Sequence, residues 1–410
     1  MAKFNNYGFL DWGTYFKGTE GWSVATDHSY NVYLSGYVNN NDSLATPGAY
    51  QNIYGGGLSD GYLSKFDSAG NLIWSTYFGG PGDEKIYGLT TDSADNVYIS
   101  GFTNSISGII SPGRIDTVIN DSDDIGFLAK FNSNGILKWS NYYAGVGFAL
   151  ATDSLANIYI TGYSTSYSGL DTNITAIDPG NSNRIFLSKF DSSGNLVWGN
   201  YYGYNIGSGD NQGLGLALDK IGNVFIVGET SCDSGMVTTD THLSTFTNHQ
   251  EAIFLADFDN NGNLLYGTYY AGEAYDYDIA FGVATDGNGN VYFTGLTDDT
   301  SGIATYGAYD THFNGGDDAL LVKFYFPPTS IPSIEKTADE VVLMPNPTHH
   351  SVNLSSAVII NTVVVSDLLG QVLYTGAYNA YTASIDLSTY PNGIYLLRVN
   401  GDTVYKVVKE

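Results

Sequence analysis

Aspartates and lysines recur at regular intervals along this 410-residue chain, and their spacing admits cation binding, ion pairing or acid–base work. Asp27/Asn31, Asp92/Asn96, Asp153/Asn157, Asp219/Asn223 and Asp286/Asn290 form one series of Asp-x-x-x-Asn pairs. Asp67/Asn71, Asp191/Asn195 and Asp259/Asn263 form a second. Asp286, Asn288 and Asn290 could present oxygens to calcium, but Val291 stands where a calcium loop needs Gly, and no Glu follows at the twelfth place. Hairpin turns are the simpler reading, because Asp accepts local backbone hydrogen bonds. Lys65, Lys130, Lys189 and Lys323 lie between hydrophobic neighbours. A half-buried lysine needs a carboxylate, so structural ion pairs are expected. Four copies argue against a catalytic amine. In the fourth unit Asp257 takes the lysine's place and Lys220 appears beside the turn, which suggests an ion pair of exchanged sign. His242, His249 and Glu251 share one polar loop, but their irregular spacing is a weak metal signal.

The elements that must carry these groups repeat as well. Trp12, Trp74, Trp139, Trp198 and Tyr266 follow one another at 62, 65, 59 and 68 residues. Such periods belong to propellers, solenoids or arrays. After each Asn comes a short β-branched and aromatic run closed by Gly, such as Asn31-Val-Tyr-Leu-Ser-Gly36 and Asn157-Ile-Tyr-Ile-Thr-Gly162. A run of smaller residues precedes each, as in Ser23-Val-Ala-Thr-Asp27. A hairpin completes the unit: one strand holds the recurrent Lys, the next the Trp and a closing aromatic pair such as Tyr77-Phe78. No 3.6-residue period appears, so the chain is all-β.

Four antiparallel strands make one propeller blade. Gly, Ala and Thr suit the crowded innermost strand, and the aromatic strand suits the wide rim. Residues 9–16 match a fourth strand, and the last unit stops after its third, near Phe326. The expectation is a five-bladed β-propeller over 1–326, closed when the N-terminal strand completes the last four-stranded blade. A closed ring leaves no sheet edge to template aggregation.

These stretches resemble the SBBP-type β-propeller repeat. Thr46-Pro-Gly-Ala-Tyr50, Gly55-Gly-Gly57 and Asp60-Gly-Tyr-Leu-Ser-Lys-Phe66 carry the likeness in the first unit. Tyr306-Gly-Ala-Tyr309, Gly315-Gly-Asp-Asp318 and Lys323-Phe324 carry it in the last. The resemblance implies a fold and leaves activity open.

The net charge is −27, and Asp and Glu outnumber Lys and Arg 42 to 15. Nucleic-acid binding is therefore not expected, since phosphate contacts need a basic face. Cys232 is the lone cysteine, so no intramolecular disulfide can form. No apolar run is long enough to span a membrane. The start, Met1-Ala-Lys-Phe-Asn-Asn, shows no signal peptide, which reads as a late start or a trimmed chain.

Three prolines between Phe326 and Ser333 break the pattern, and 327–340 reads as a linker. Seven short strands then follow within 341–410, at 341–344, 351–354, 362–366, 371–375, 383–387, 394–399 and 403–408. They suggest a small Ig-like β-sandwich. Met344-Pro-Asn-Pro347, the run from Val363 to Val372, Asn392-Gly-Ile-Tyr395 and the terminal Tyr405-Lys-Val-Val-Lys409 resemble the type A C-terminal sorting domain of type IX secretion cargo. The resemblance implies contact between 341–410 and the type IX machinery, and an extracellular or outer-surface destination.

The loops between second and third strands differ most from unit to unit, and variable loops on a rigid scaffold often carry function. Tyr50, Tyr54, Tyr167, Tyr306, Tyr309 and Phe313 lie there and could stack on sugars. Repeated blades favour multivalent binding. The function expected is a surface-displayed binding or adhesion module for glycan or protein ligands. The alternatives are a glycoside hydrolase-like enzyme and a passive surface component. A glycosidase needs two carboxylates aimed into one pocket. The inner strands offer only the recurrent turn acids, so an enzyme is not expected, and no cofactor beyond calcium is implied.

Overall fold

The computed structural model describes residues 1–17, 19–39, 43–111, 125–165, 170, 183–203, 210–233, 235–246, 251–272, 277–326, 341–368, 370–401 and 403–410. Two compact units emerge, Met1–Pro328 and Thr329–Glu410. Every named element in both is a strand.

The first unit opens with a two-stranded hairpin, β1 (Ala2–Phe4) and β2 (Leu10–Gly13). Four antiparallel meanders of four strands follow. Blade 1 is β3 (Thr19–Thr26), β4 (Val32–Val38), β5 (Asp60–Phe66) and β6 (Leu72–Phe78). Blade 2 is β7 (Glu84–Thr91), β8 (Val97–Thr103), β9 (Ile125–Phe131) and β10 (Leu137–Ala144). Blade 3 is β11 (Val146–Thr152), β12 (Ile158–Ser164), β13 (Arg184–Phe190) and β14 (Leu196–Tyr202). Blade 4 is β15 (Asn211–Leu218), β16 (Val224–Thr230), β17 (Ala252–Phe258) and β18 (Leu264–Tyr270). Blade 5 holds three strands among the described residues: β19 (Asp278–Thr285), β20 (Asn290–Thr297) and β21 (Asp318–Tyr325).

The small-residue strands are indeed innermost, with β3 packing on β7, β7 on β11, β11 on β15 and β15 on β19. A bulge in each inner strand presses its backbone against the Gly that closes the second strand. A Cβ on Gly36, Gly101, Gly162, Gly228 or Gly295 would land on the carbonyl of Glu20, Lys85, Val146, Gln212 or Ile279. That contact explains why each second strand ends in Gly. Apolar clusters fill the gaps between blades. Tyr33 and Leu63 of blade 1, for example, pack with Phe78, Ile99 and Phe127.

The N-terminal strand does not complete blade 5, which corrects the expected five-bladed closure. β2 pairs with β1, and the register sets Lys3 opposite Trp12. The same cross-strand pair recurs in the third and fourth strands of the full blades, as Lys65 with Trp74 and Lys189 with Trp198. The Asn5 carboxamide accepts from the N–H of Tyr7 and Phe9, as the Asp67 carboxylate does from Ala69 and Asn71. The opening hairpin is therefore a third and a fourth strand, a sector of its own. The two end fragments overlap at the third strand and cannot merge into one blade.

In the second unit the seven expected strands become five. The segments at 351–354 and 362–366 run on as β23 (Ser351–Ser366), after β22 (Val342–Met344). The segments at 371–375 and 383–387 join as β24 (Val372–Asp386), followed by β25 (Gly393–Val399) and β26 (Thr403–Lys409). All five connect through β23, whose first part pairs with β22 and whose last part pairs with β25. Residues 355–361 contain neither Gly nor Pro, so the chain crosses them through register shifts without a turn. Val352, Ile360, Val363, Leu397 and Val407 form the core of this unit.

Candidate functional site

The recurrent acids close turns. Asp27 Oδ1 accepts from the N–H of Ser29 and Asn31, and the Asn31 carboxamide donates to both oxygens. Asp92 repeats the pattern on Ala94 and Asn96. Asp286 does the same on Asn288 and Asn290, so the carboxylate weighed for calcium is already engaged by N–H donors. Hydrogen bonds from Asn290 and Asn288 hold the Asp286 carboxyl below its usual range.

The expected lysine–carboxylate pairs form in three blades. Lys65 Nζ lies 3.1 Å from Asp27, Lys130 3.8 Å from Asp92 and Lys189 3.9 Å from Asp153. Each ammonium also sits about 5 Å above a tyrosine ring, that of Tyr33, Tyr98 or Tyr159. Burial, then the adjacent carboxylate, pushes each of these phenols upward. Lys323 in blade 5 keeps only its ring, Tyr292 at 5.6 Å, and is exposed.

The lysine and tryptophan together clasp the next blade. Lys65 Nζ and Trp74 Nε1 both donate to the Ser133 carbonyl, at 3.2 and 3.1 Å. Lys130 and Trp139 share Ser192 in the same way, and Lys3 and Trp12 share Ser68. Trp198 donates to Asn260, whose side chain receives Lys189. A Cβ on Gly70, Gly135, Gly194 or Gly262 would strike the ring of Trp12, Trp74, Trp139 or Trp198. These turn glycines have positive φ, so they provide both the turn and the seat for the indole. The opening hairpin therefore clasps blade 1 as each of blades 1 to 3 clasps its successor.

Blade 4 breaks the scheme. Phe225 replaces the tyrosine and Asp257 the lysine, opposite one another in the ladder. The expected pair with Lys220 is absent. The Lys220 side chain lies against Gly287 of the blade 5 turn, and Asp257 Oδ1 is buried without a partner. Lysine at 257 would have reached the carboxylate; aspartate is too short, and it repels Asp219. Burial, then Asp219 and Asp259, pushes the Asp257 carboxyl up to about 8.

The five described candidate aromatics divide between blade 1 and blade 5. Tyr50 packs on Phe78 and edge-on to Phe131 at 5.7 Å, so blade 2 covers much of it. Tyr54 is half-buried against Tyr77 and donates to the Gly57 carbonyl. Tyr167 lies outside the described residues. Tyr306 and Tyr309 are fully exposed, and Phe313 is half-buried. Tyr309 occupies in blade 5 the place of Tyr50 in blade 1, yet Tyr50 is only 42% exposed. The difference comes from the blade that follows. Every residue of β5 is buried, whereas Leu321 and Tyr325 of β21 stand open.

A depression of about 560 Å³ lies among the inner turns of blades 3 to 5, lined by Asp153, Tyr159, Asp219, Lys220, Asn260 and Asp286. Asp153 is tied to Lys189, and Asp219 and Asp286 accept hydrogen bonds from their own turns. His249 lies outside the described residues. His242 stacks on Tyr270, while Glu251 accepts from the Asp210 N–H. Among the described residues no cluster of three His, Cys, Asp or Glu side chains forms. Three buried acid clusters, Asp60 with Glu84, Glu229 with Glu251 and Asp278 with Asp299, were not anticipated from sequence. Single carboxylates at or beside strand ends carry no repeat signal that would reveal them.

Comparison with known proteins places both parts of the chain. Residues 73–106 match the family described as Beta-propeller repeat, and residues 342–410 match the Secretion system C-terminal sorting domain. The chain thus carries an SBBP β-propeller repeat and a type IX sorting domain. It is 24% identical over 246 residues to an uncharacterized WD repeat-containing protein of Acanthamoeba polyphaga mimivirus, which covers 51% of this chain and 18% of that protein. The chain thus matches less than a fifth of the length of that relative. Among solved structures, a protein of unknown function from Bacteroides caccae aligns at 10% identity and a TM-score of 0.37, covering 78% of this chain and 83% of its own. PorZ, a surface component of the type IX secretion system of Porphyromonas gingivalis, aligns at 12% identity and a TM-score of 0.29, covering 98% of this chain and 53% of its own. Likeness at this level carries nothing about activity. The sorting domain implies interaction with the type IX machinery and indicates export, to the cell surface or beyond it. No helix among the described residues is long and apolar enough to cross a membrane.

Proposed function

We propose that this exported propeller is a binding module that recognises glycan or protein ligands through the uncovered aromatic loop of blade 5. One observation carries the reading. Tyr309 stands fully in solvent at the repeat position where, in blade 1, Tyr50 is partly covered by the next blade, and Tyr306 is fully exposed beside it. Planar aromatics beside Asp310, Asn314 and Asp317 offer a stacking face with hydrogen-bonding neighbours. A glycan-array screen of the full chain, followed by a reducing-sugar assay on each hit, tests the proposal. Binding without sugar release is expected. Release of reducing sugar from a bound glycan would overturn it in favour of a hydrolase.

A further inference from the structure

Blades 1 to 3 place an ammonium among a turn carboxylate, an aromatic face and a carbonyl of the next blade. Blade 4 keeps the turn carboxylate and a ring face and removes the ammonium. Asp219 closes its turn as Asp27 does, accepting from the N–H of Ile221 and Asn223. Phe225 keeps the ring face. Asp257 stands where the lysine stem begins, but it ends about two heavy atoms short of where the ammonium would lie. Its side chain is only 5% exposed, and Oδ1 has no hydrogen-bond partner. Phe326 packs on Phe225 and on Tyr266, each at 5.2 Å, and shields this corner from solvent.

A buried, unpartnered carboxylate beside a second carboxylate is costly unless a positive charge joins them. The rest of the chain shows which charge belongs there. We propose that blade 4 binds a hard divalent cation of the calcium class between Asp219 and Asp257, in the place that a lysine ammonium fills in blades 1 to 3. Two carboxylates supply the compensating charge; backbone carbonyls and water complete an all-oxygen shell, the usual composition for calcium. This site is separate from the Asp286 turn, which engages both carboxylate oxygens where the Asp219 turn engages Oδ1, and it does not depend on the blade 5 ligand.

The test is a calorimetric calcium titration of the full chain, pre-treated with chelator, beside Asp257→Lys, Asp257→Asn and Asp286→Asn. The wild type is expected to take up calcium with one site more than either Asp257 variant. Asp257→Lys should keep or raise the melting temperature in chelator, because it restores the ion pair of the other blades. Asp286→Asn should retain the wild-type stoichiometry. Terbium luminescence sensitised by Tyr266, which faces Asp257 across the ladder, should fall at least tenfold in Asp257→Lys. Equal calcium stoichiometry and equal terbium signal in wild type and Asp257→Lys would overturn the proposal, as would a wild type that takes up no calcium at millimolar concentration.

Discussion

Replacing Lys65 by Met should destabilise the propeller far more than the same change at Lys323. Lys65 Nζ is 3.1 Å from Asp27, and both side chains are almost wholly buried. At that distance and an effective dielectric of about 20, the gross attraction is about 5 kcal/mol. Desolvation of the two ions offsets most of it, so the pair adds little net stability. Removing one partner is another matter, because Asp27 is left buried and uncompensated at a cost of roughly 3–5 kcal/mol. The Ser133 carbonyl also loses a donor, although Trp74 still reaches it. Lys323 is exposed, and its loss should cost no more than about 0.5 kcal/mol. Thermal unfolding followed by tryptophan fluorescence, with hydrogen exchange on the blade 1 turn, measures both variants. Asp27→Asn combined with Lys65→Met should recover part of the loss, since no charge then remains buried. Equal effects at 65 and 323, or a Lys65→Met cost below about 1 kcal/mol, would refute the clasp as a desolvated ion pair.

Four further outcomes follow from the same structure. Trp74→Ala should cost about 3–5 kcal/mol by emptying the seat over Gly135, measured by chemical denaturation. Gly101→Ala should prevent normal folding of blade 2, because its Cβ has no space beside the Lys85 carbonyl; soluble yield and circular dichroism report it. Burial, with Glu84, Glu251 and Asp219 nearby, raises Asp60 to about 6, Glu229 to about 7 and Asp257 to about 8. The folded state holds these protons and the unfolded state releases them near pH 4, so stability falls as pH climbs from about 4 through 8. Asp27 and Asp92 act in the opposite sense: burial raises them, but hydrogen bonds led by Asn31 and Asn96 outweigh it and leave both below the usual range. Their contribution is present above about pH 4 and is lost as pH falls through their folded values. The melting temperature should therefore peak near pH 4, and Asp257→Asn should flatten the alkaline limb.

Much of the propeller was legible because a small-residue strand, a Gly-closed strand, a lysine strand and a Trp strand recur in order. The ion pairs were legible too, since a lysine repeated among apolar neighbours demands a partner. The opening hairpin was not. Its third strand is only Ala2-Lys3-Phe4, too short to show a pattern until Lys3 is seen opposite Trp12. The fused strands of the second unit were hidden for a related reason: strand breaks were inferred from polarity, whereas residues 355–361 bend without a turn. At Asp257 the pattern pointed to the right residue and the wrong partner, because sequence proximity to Lys220 says nothing about where its long side chain goes. Tyr50 and Tyr309 look equivalent in sequence and differ only in what lies beside them, which local residue types do not encode.

That last contrast provides the most direct test of the proposed function. Tyr306→Ala/Tyr309→Ala and Tyr50→Ala should be compared by calorimetry for the ligand that the array identifies. Losing the two exposed rings should weaken binding at least about tenfold, or about 1.4 kcal/mol, and leave the melting temperature unchanged. Tyr50→Ala should lower the melting temperature and leave affinity intact. Undiminished binding by the double variant would contradict the account.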